Sequence, residues 1–175
     1  MKLPRLVRVL LFLFPLLLSP ALGRGAPAWR TWDAGVSEAA RLGRPVLVDV
    51  YTDWCGWCKR MDRDVYSRAD VQEYLARRFV VVKLDAESRA PARYQGSTLT
   101  SRSLATRLGA TGYPTTVFLG AKGAALGSLP GYIPADRFLQ ILHYVGDGHA
   151  ERGQSFDDYL RATRTRGGVR AGAGR

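Results

Sequence analysis

The sequence predicts an α/β fold in which a small mixed sheet carries helices on both faces. Two apolar, β-branched runs, Val46–Tyr51 and Val80–Asp85, are typical of strands that are buried on both sides. Helical patterns separate the two runs, which favours a parallel pair, whereas a strand–turn–strand pattern at residues 115–129 requires an antiparallel hairpin. Strands that alternate with helices and end in a hairpin indicate one sheet between two helical layers.

The first 23 residues are typical of a secretory signal peptide. Lys2, Arg5 and Arg8 precede an apolar run from Val9 to Leu18, and a small-residue pattern predicts cleavage near Gly23. The alternative is an uncleaved membrane anchor, for which the run is short. We therefore expect an exported protein, with the bacterial periplasm as its compartment, where disulfides persist.

An entry segment at 24–32 leads into a predicted domain at 33–146. Its first helix should run from about Asp33 to Leu42 and end at Gly43, a residue that suits a helix C-terminus. After the first strand, the predicted elements are a helix to about Val65, a helix from Ser67 or Asp70 to Phe79, the strand Val80–Asp85, an irregular polar segment 86–99, a short helix Ser103–Leu108, the strands Thr115–Leu119 and Ala124–Leu129, and a helix from Pro134 to about Val145.

A C-terminal extension at 147–162 should contain a short helix from about Phe156 to Ala162. Residues 163–175 are rich in Gly and Arg and are predicted to be disordered. The net charge of +11 would suit nucleic acid, anionic lipid or an acidic partner. We favour the simpler interpretation of an arginine-rich composition with a solvated tail, and we predict no nucleic-acid partner.

The chain has two cysteines, Cys55 and Cys58, directly after the first strand and at the start of a helical pattern. A disulfide between them closes almost no loop, so an exported chain is expected to keep it for its chemistry. Free N–H groups and the dipole of the first helical turn favour a thiolate at Cys55, and Cys58 follows one turn later. Gly56 permits close approach, and Trp54 and Trp57 offer apolar surface to a partner protein.

Other chemistries of a C-x-x-C pair fit this chain less well. Haem attachment requires His after the second cysteine, where Lys59 stands. A zinc site needs four ligands, and the two histidines, His143 and His149, lie far downstream. Copper transport by the two thiolates, or a docking module with idle cysteines, stays open as an alternative. No resident metal or organic cofactor is expected beyond the redox-active cysteine pair.

The stretch Val46–Lys59 resembles the active-site strand and helix of the thioredoxin family. The Gly-Tyr-Pro-Thr segment at 112–115 is similar to that family's cis-proline loop, and Gly131 with Tyr132 to the glycine turn after its hairpin. The resemblance covers residues 33–146 and implies a thioredoxin fold. The signal peptide, a longer loop at 86–99 and the extra C-terminal helix look more like exported bacterial thioredoxin-like reductases.

The resemblance implies catalytic roles for three residues. Cys55 would attack a substrate disulfide and Cys58 would resolve the mixed disulfide. Asp49 matches the family's buried acid, which helps to move the proton of the resolving thiol, and burial in an apolar strand should raise its pKa. Lys83 matches the family's lysine on the next strand, so a purely structural pairing of Asp49 with Lys83 is the alternative.

The same resemblance implies a substrate-binding loop at Tyr113 and Pro114. The Tyr113–Pro114 peptide bond is expected to be cis, because an aromatic residue before proline favours that isomer. In the family this loop lies against the cysteines, and the backbone of the residue before the proline, here Tyr113, pairs with an extended substrate segment. An ordinary trans turn is the alternative.

The function predicted from the sequence is thiol–disulfide exchange on exported proteins, as a reductase. A reductase in an oxidising compartment needs electrons, and a membrane thiol-transfer protein is the donor that the resemblance implies. The dipeptide Gly56-Trp57 replaces the Gly-Pro of thioredoxin, so a disulfide oxidase or isomerase stays open as an alternative. No separate dimerisation module is visible, and a monomer is expected.

Overall fold

The computed structural model describes residues 26–172 of the 175-residue chain, with side chains to residue 165. The predicted signal peptide lies outside these residues and stays a prediction. The elements in chain order are α1 (Trp32–Leu42), β1 (Val46–Tyr51), α2 (Gly56–Met61), a π-helical turn (Asp62–Tyr66), α3 (Ala69–Arg78), β2 (Val80–Asp85), β3 (Pro91–Tyr94), β4 (Ser97–Thr100), α4 (Ser101–Arg107), β5 (Thr115–Leu119), β6 (Ala125–Pro130), α5 (Ala135–Gly146) and α6 (Phe156–Gly172).

A four-stranded mixed sheet in the order β2-β1-β5-β6 forms the centre of the fold. β1 and β2 are parallel, with Asp49 opposite Lys83, whereas β5 is antiparallel to both β1 and β6. The parallel early pair and the antiparallel late hairpin are both as predicted. The order puts β1 in the interior of the sheet. The residues that follow β1 therefore emerge at the C-terminal end of a central strand.

Alternation along β1 divides the core into two layers, one on each face of the sheet. Val46, Val48 and Val50 pack with residues of α1 and α4 on one face. Leu47 points to the other face and packs with residues of α2, α3 and α5. Helices therefore cover both faces, as the two-sided apolar pattern of the strand predicts.

The segment predicted to be irregular at 86–99 instead forms a β-hairpin, and that prediction is wrong. β3 and β4 pair through a two-residue turn at Gln95 and Gly96, which have φ of 50° and 79°. Positive φ at both turn positions suits the twist of a tight hairpin. Burial of Ala92 and a contact between the rings of Trp32 and Tyr94, 5.7 Å apart, hold the hairpin against α1.

The entry segment is more ordered than expected. Arg30 forms a parallel bridge to Val82, in which Arg30 N donates to Val81 O at 2.9 Å and Arg30 O accepts from Lys83 N at 3.1 Å. The Trp29 ring meets the Tyr66 ring edge-on at 5.0 Å. The chain before α1 therefore covers the outer edge of β2.

The C-terminal helix is longer than predicted, because α6 continues from Phe156 to Gly172 through most of the segment expected to be disordered. Its start is anchored by Leu160, which is buried, and by Tyr159, whose ring lies 5.6 Å from that of Tyr144. Once a first turn has formed, each further residue adds a hydrogen bond for a smaller loss of conformational entropy. Arg and Ala are also good helix formers.

Between residues 26 and 172, no helix has both the length and the apolar character needed to cross a bilayer.

Candidate active site

Cys55 and Cys58 form a disulfide at the N-terminus of α2, four residues beyond the end of β1. Cys55 is the N-cap of the helix, and its Sγ accepts a hydrogen bond from Cys58 N at 3.0 Å. Both cysteines are 4% exposed. Because β1 is an interior strand, the disulfide follows the C-terminal end of a central strand and does not lie beside an edge strand.

Exposed aromatic side chains flank the disulfide. Trp54 and Trp57 are 66% and 54% exposed. The Trp54 ring meets Tyr113 at 6.1 Å, and the Trp57 ring meets Tyr132 at 5.7 Å. The Arg60 guanidinium lies 5.1 Å and 5.3 Å from the Trp57 and Tyr132 ring centres. We call these five residues the aromatic rim.

The loop before β5 lies beside the disulfide and contains the predicted cis bond, between Tyr113 and Pro114. Its shape is held by two hydrogen bonds, from Thr115 Oγ1 to Gly112 O at 2.6 Å and from Gly131 N to Pro114 O at 2.7 Å. The contact between Trp54 and Tyr113 joins this loop to the turn that carries the cysteines. The Tyr113–Pro114 pair is thus adjacent to the cysteines in space, although more than fifty residues separate them in sequence.

Beneath α2, Asp49 is 1% exposed and forms an ion pair with Lys83, with Asp49 Oδ2 2.7 Å from Lys83 Nζ. Burial raises the pKa of Asp49, and this effect outweighs the opposing attraction of the Lys83 ammonium. Burial alone would lower the pKa of Lys83, but its carboxylate partners reverse that effect and the net pKa of Lys83 is raised. The site thus holds an acid that keeps its proton to higher pH than an exposed aspartate.

Asp62 is a second carboxylate on the same lysine, at 2.8 Å from Lys83 Nζ, and sequence reasoning missed it. It comes four residues after Cys58, a spacing that puts two residues on the same face of a helix, so the signal was present. A cleft of about 240 Å³ runs past Cys58, Asp62 and Lys83 to the solvent. Water therefore reaches this side of Cys58.

The helix that carries the cysteines does not continue as an α-helix to Val65. It changes at Asp62 into a π-helical turn, marked by the hydrogen bond from Ser67 N to Asp62 O at 3.1 Å, which spans five residues. The wider turn directs Tyr66 inward, where its ring is packed edge-on against Trp29 and Phe138 at 5.0 Å and 5.5 Å. Its hydroxyl is buried near Asp49.

The Tyr66 hydroxyl lies close enough to Asp49 and Thr116 to interact with both. Four buried side-chain oxygens around this site make no hydrogen bond of standard length and angle in the described part of the chain. They are Asp49 Oδ1, Thr52 Oγ1, the Tyr66 hydroxyl and Thr116 Oγ1. Thr116 lies opposite Asp49 in the β1–β5 ladder, so its hydroxyl belongs to the same face. The sequence analysis did not identify Tyr66 or Thr116, because their convergence depends on the π-helical turn and on the strand register.

As for metal binding, no group of three or more His, Cys, Asp or Glu side chains in residues 26–172 is arranged to hold an ion. The reactive groups that the described site brings together are the cysteine pair and the two carboxylates on Lys83.

Comparison with known proteins identifies the family. Residues 32–146 match the family model of the thioredoxin-like domain. The chain belongs to the thioredoxin-like family. The match begins at α1 and ends with α5, so it contains the disulfide, the cis-proline loop, Asp49 and Lys83. The domain is of the thiol–disulfide oxidoreductase type, with Cys55 and Cys58 as its redox-active pair.

Among curated proteins, the chain is similar to thiol:disulfide interchange protein DsbD of Ralstonia nicotianae, with 36% identity over 111 residues. That match covers 63% of this chain but 17% of the relative. DsbD of a Pseudomonas species is 32% identical over 117 residues, which are 65% of this chain and 18% of that relative. The chain therefore corresponds to about a sixth of the curated relatives it matches.

Among solved structures, a thioredoxin from Thermus thermophilus superposes with a TM-score of 0.60 at 28% identity. The superposition covers 74% of this chain and 95% of that protein. The thioredoxin fold predicted from the sequence is thus confirmed by the sheet order, by the family match and by this superposition.

Proposed function

We propose that this domain exchanges thiols and disulfides with exported proteins and that it acts as a reductase. The observation that carries the proposal is the Cys55–Cys58 disulfide at the start of α2, with the cis-proline loop beside it and Asp49 beneath it. In the reduced form, the Cys55 thiolate attacks a substrate disulfide. A mixed disulfide forms and one substrate sulfur leaves as a thiolate, which takes up a proton.

The second step regenerates the disulfide of the domain. Cys58 attacks Cys55 Sγ, the mixed disulfide breaks, and the substrate leaves as a dithiol, while the domain loses two electrons and becomes oxidised. The hydrogen bond from Cys58 N to Cys55 Sγ supports the assignment of Cys55 as the attacking residue. The same N–H stabilises a negative charge on that sulfur when the disulfide opens.

Cys58 must lose a proton before it attacks, and Asp49 is the group that we assign to accept it. The carboxyl lies under the helix that carries Cys58, in a buried environment that raises its pKa. A base whose pKa approaches the working pH accepts and returns protons efficiently. Lys83 keeps the carboxyl in place through its ion pair, and Asp62 connects the lysine to the solvent-filled cleft.

We assign substrate docking to the aromatic rim and to the Tyr113–Pro114 loop. Exposed tryptophans are costly in water and are enriched at protein interfaces, where they bury large apolar area. Trp54 and Trp57 project on either side of a disulfide that is itself almost buried. A partner must therefore approach over the rim and present its own disulfide in an extended segment.

Similarity to thiol:disulfide interchange proteins supports the exchange reaction, and reduction of the substrate is the direction that we propose for it. Continuous reduction in an oxidising compartment needs a donor, for which we propose a membrane thiol-transfer protein. Export itself is inferred from the predicted signal peptide at residues 1–23. Fractionation of producing cells, followed by N-terminal sequencing, tests it: a mature chain that starts near Arg24 supports export, and retention of Met1 in the cytoplasm contradicts it.

The test of the function is the equilibrium reduction potential of the cysteine pair against a dithiothreitol or glutathione series. The fluorescence of Trp54 and Trp57 reports the transition because both flank the disulfide. A potential below about −220 mV supports a donor-dependent reductase, and one above about −150 mV indicates an oxidase instead. A Cys58→Ser variant is the control, because it has no internal disulfide and should trap substrates on Cys55. A wild-type protein with no two-electron transition would contradict the proposed exchange.

A further inference from the structure

Three aromatic rings surround the ammonium group of Lys83 beneath the active-site helix. Lys83 Nζ lies 4.9 Å from the ring centre of Tyr51, 5.0 Å from that of Trp29 and 5.9 Å from that of Tyr66. An ammonium within about 6 Å of a ring centre is attracted to the face of the ring, and the indole of tryptophan binds it most strongly. Tyr51 belongs to β1 and Tyr66 to the π-helical turn, whereas Trp29 lies in the entry segment, before the family match begins. The strongest of the three rings is therefore supplied from outside the domain that the family defines.

Backbone pairing with β2 decides the face of the sheet on which the Trp29 ring lies. Arg30 is in register with Val82 through the parallel bridge. Successive side chains of an extended segment point to opposite faces. Arg30 lies on the face of α1, where its guanidinium pairs with Glu38 at 2.7 Å. Trp29 therefore takes the other face, which is that of Lys83, and its ring packs in the core layer beneath α2.

Lys83 is shared between two carboxylates that differ in exposure. Its Nζ lies 2.7 Å from Asp49 and 2.8 Å from Asp62, whose side chains are 2% and 46% exposed. A lysine side chain loses much rotamer freedom when it is held in one position, and water hydrates its ammonium strongly. An ammonium that followed Asp62 into the solvent-filled cleft would leave the buried Asp49 without its counter-charge. Contacts that retain Lys83 inside the site therefore control the charge that Asp49 experiences.

We propose that Trp29 is a positioning residue of the active site, whose ring retains the Lys83 ammonium against Asp49. The ring of Trp29 also meets the Tyr66 ring edge-on at 5.0 Å, so the indole is itself fixed over the lysine. Trp29 acts through Lys83, and Lys83 in turn favours the ionised form of Asp49. The entry segment is thereby part of the machinery for proton transfer, a role in exchange that rests on the proposed function.

Loss of the Trp29 ring has two possible effects on Asp49, and they have opposite signs. If the ring positions Lys83, its loss weakens the attraction of the ammonium and raises the pKa of Asp49 further. If the ring serves only as a cover, its loss admits water, which stabilises the carboxylate and lowers the pKa of Asp49. The sign of the change therefore distinguishes a positioning role from a packing role.

The other titratable groups around the site stay in place when Trp29 is replaced. Those that act on Asp49 or line the cleft beside it are Lys83 on β2, Tyr51 on β1, Asp62 and Tyr66 on the π-helical turn, and Asp53 and Lys59 near the start of α2. The cysteines do not ionise while they are joined in the disulfide. The oxidised protein therefore gives a titration of Asp49 that is free of the thiols.

The experiment is a titration of the Asp49 carboxyl by carbon-13 NMR in the oxidised full chain. Trp29→Leu should move the midpoint upward by about half to one pH unit, and Trp29→Phe by less because a weaker ring remains. The Cε resonance of Lys83 is the second readout, since it should lose the ring-current shift of the indole in Trp29→Leu. The matched control is Tyr94→Leu, which removes another half-buried ring that packs on Trp32 in the β3–β4 hairpin.

A midpoint that is unchanged or lower in Trp29→Leu overturns the proposal, and so does an equal upward shift in Tyr94→Leu. In a Lys83→Met background, Trp29→Leu should cause no further upward shift, and a full shift there shows that the ring does not act through the lysine. Should Trp29→Leu not fold, Trp29→Phe decides, since an unshifted midpoint rejects the role of the indole.

The pH profile of disulfide exchange connects the titration to the reaction. Its Asp49-dependent limb should move upward with the midpoint in Trp29→Leu and stay in place in Tyr94→Leu. The titration itself needs no exchange activity. An upward shift in a protein that exchanges no disulfides supports the role of Trp29 on Lys83 and rejects the proposed function, whereas an active protein with no shift rejects the role of Trp29 alone.

Discussion

Replacing Asp49 with asparagine removes the acid of the site and keeps its shape. The amide oxygen still accepts from Lys83 Nζ, which lies 2.7 Å from Oδ2 in the native protein, and Lys83 retains its contact with Asp62. The change therefore separates proton transfer from the structural pairing of the two strands. We expect opposite effects on two quantities, a slower exchange reaction and a higher free energy of unfolding.

The size of the expected decrease in the exchange rate depends on which other proton acceptors can reach Cys58. A positioned general acid or base contributes about 10²–10⁴-fold to a rate. Because the cleft of about 240 Å³ beside Cys58 admits water, a slower route for the proton stays open, and the loss should lie near the low end. We expect Asp49→Asn to slow resolution of a mixed disulfide by about 100-fold at pH 7. The difference should shrink above about pH 8.5, where a free thiol ionises without help.

The stability effect has the opposite sign. Burial raises the pKa of Asp49 above its value in the unfolded chain, so the native state binds the proton more tightly. Wild-type stability therefore falls as pH rises from about 3.9, the unfolded pKa of aspartate, through the raised native pKa. Asparagine does not ionise, so the variant should be the more stable protein above that window. Each pKa unit of separation contributes about 1.4 kcal/mol, and the difference should disappear below about pH 4.

The kinetic assay is the decay of a mixed disulfide between Cys55 and a fluorescent peptide thiol, followed by stopped flow from pH 5 to 9. Urea unfolding over the same range gives the stability. Asp53→Asn is the matched control, because that carboxylate is exposed and lies two residues before Cys55. A resolution rate within threefold of wild type at pH 7 would refute the assignment of Asp49 as the proton acceptor. A variant less stable than wild type at pH 8 would refute the burial argument.

Two further predictions concern packing and docking. Gly35→Ala should lower the free energy of unfolding by about 1–3 kcal/mol in urea, because its Cβ would lie 2.2 Å from Val82 Cγ2 and the core must shift. Gly127→Ala, with open space around it, is the control, and equal effects would contradict the packing argument. Trp57→Ala should lower kcat/KM for protein disulfides about tenfold and leave that for a small disulfide unchanged. Leu42→Ala is the control, because it removes exposed apolar surface elsewhere on the domain. It should leave kcat/KM for protein disulfides unchanged.

Local patterns were sufficient to predict the framework of the site. The apolar run of β1, interrupted by Asp49 alone, implies a strand buried on both faces, and a C-x-x-C pair at the following helix start places both cysteines within one turn. These features depend on residues that are neighbours in sequence. The side-chain periods of two for a strand and 3.6 for a helix can therefore be recognised in the sequence directly. The pairing of Asp49 with Lys83 and the cis bond before Pro114 were predicted through the family resemblance and are present.

Some elements were predicted incorrectly because their stability comes from distant contacts. The β3–β4 hairpin is polar, and it is fixed by packing on α1 and by a tight turn at Gln95 and Gly96. Arg30 pairs with β2 because that strand lies at the edge of the sheet and the backbone groups on its outer side are free to pair. Tertiary contacts override weak local preferences in such segments.

The sequence by itself determined the cysteine pair and the strand that presents it, because a short, strongly patterned stretch encodes both, and the resemblance of that stretch to a known family singled out Asp49 within the strand. Only the tertiary structure decided the environment of that acid. Asp62 reaches Lys83 across the cleft, Tyr66 turns inward through one extra residue in a π-helical turn, and Thr116 meets Asp49 through an antiparallel register. A one-residue change in either turn or register would move these groups to another face, so side-chain periodicity alone does not place them.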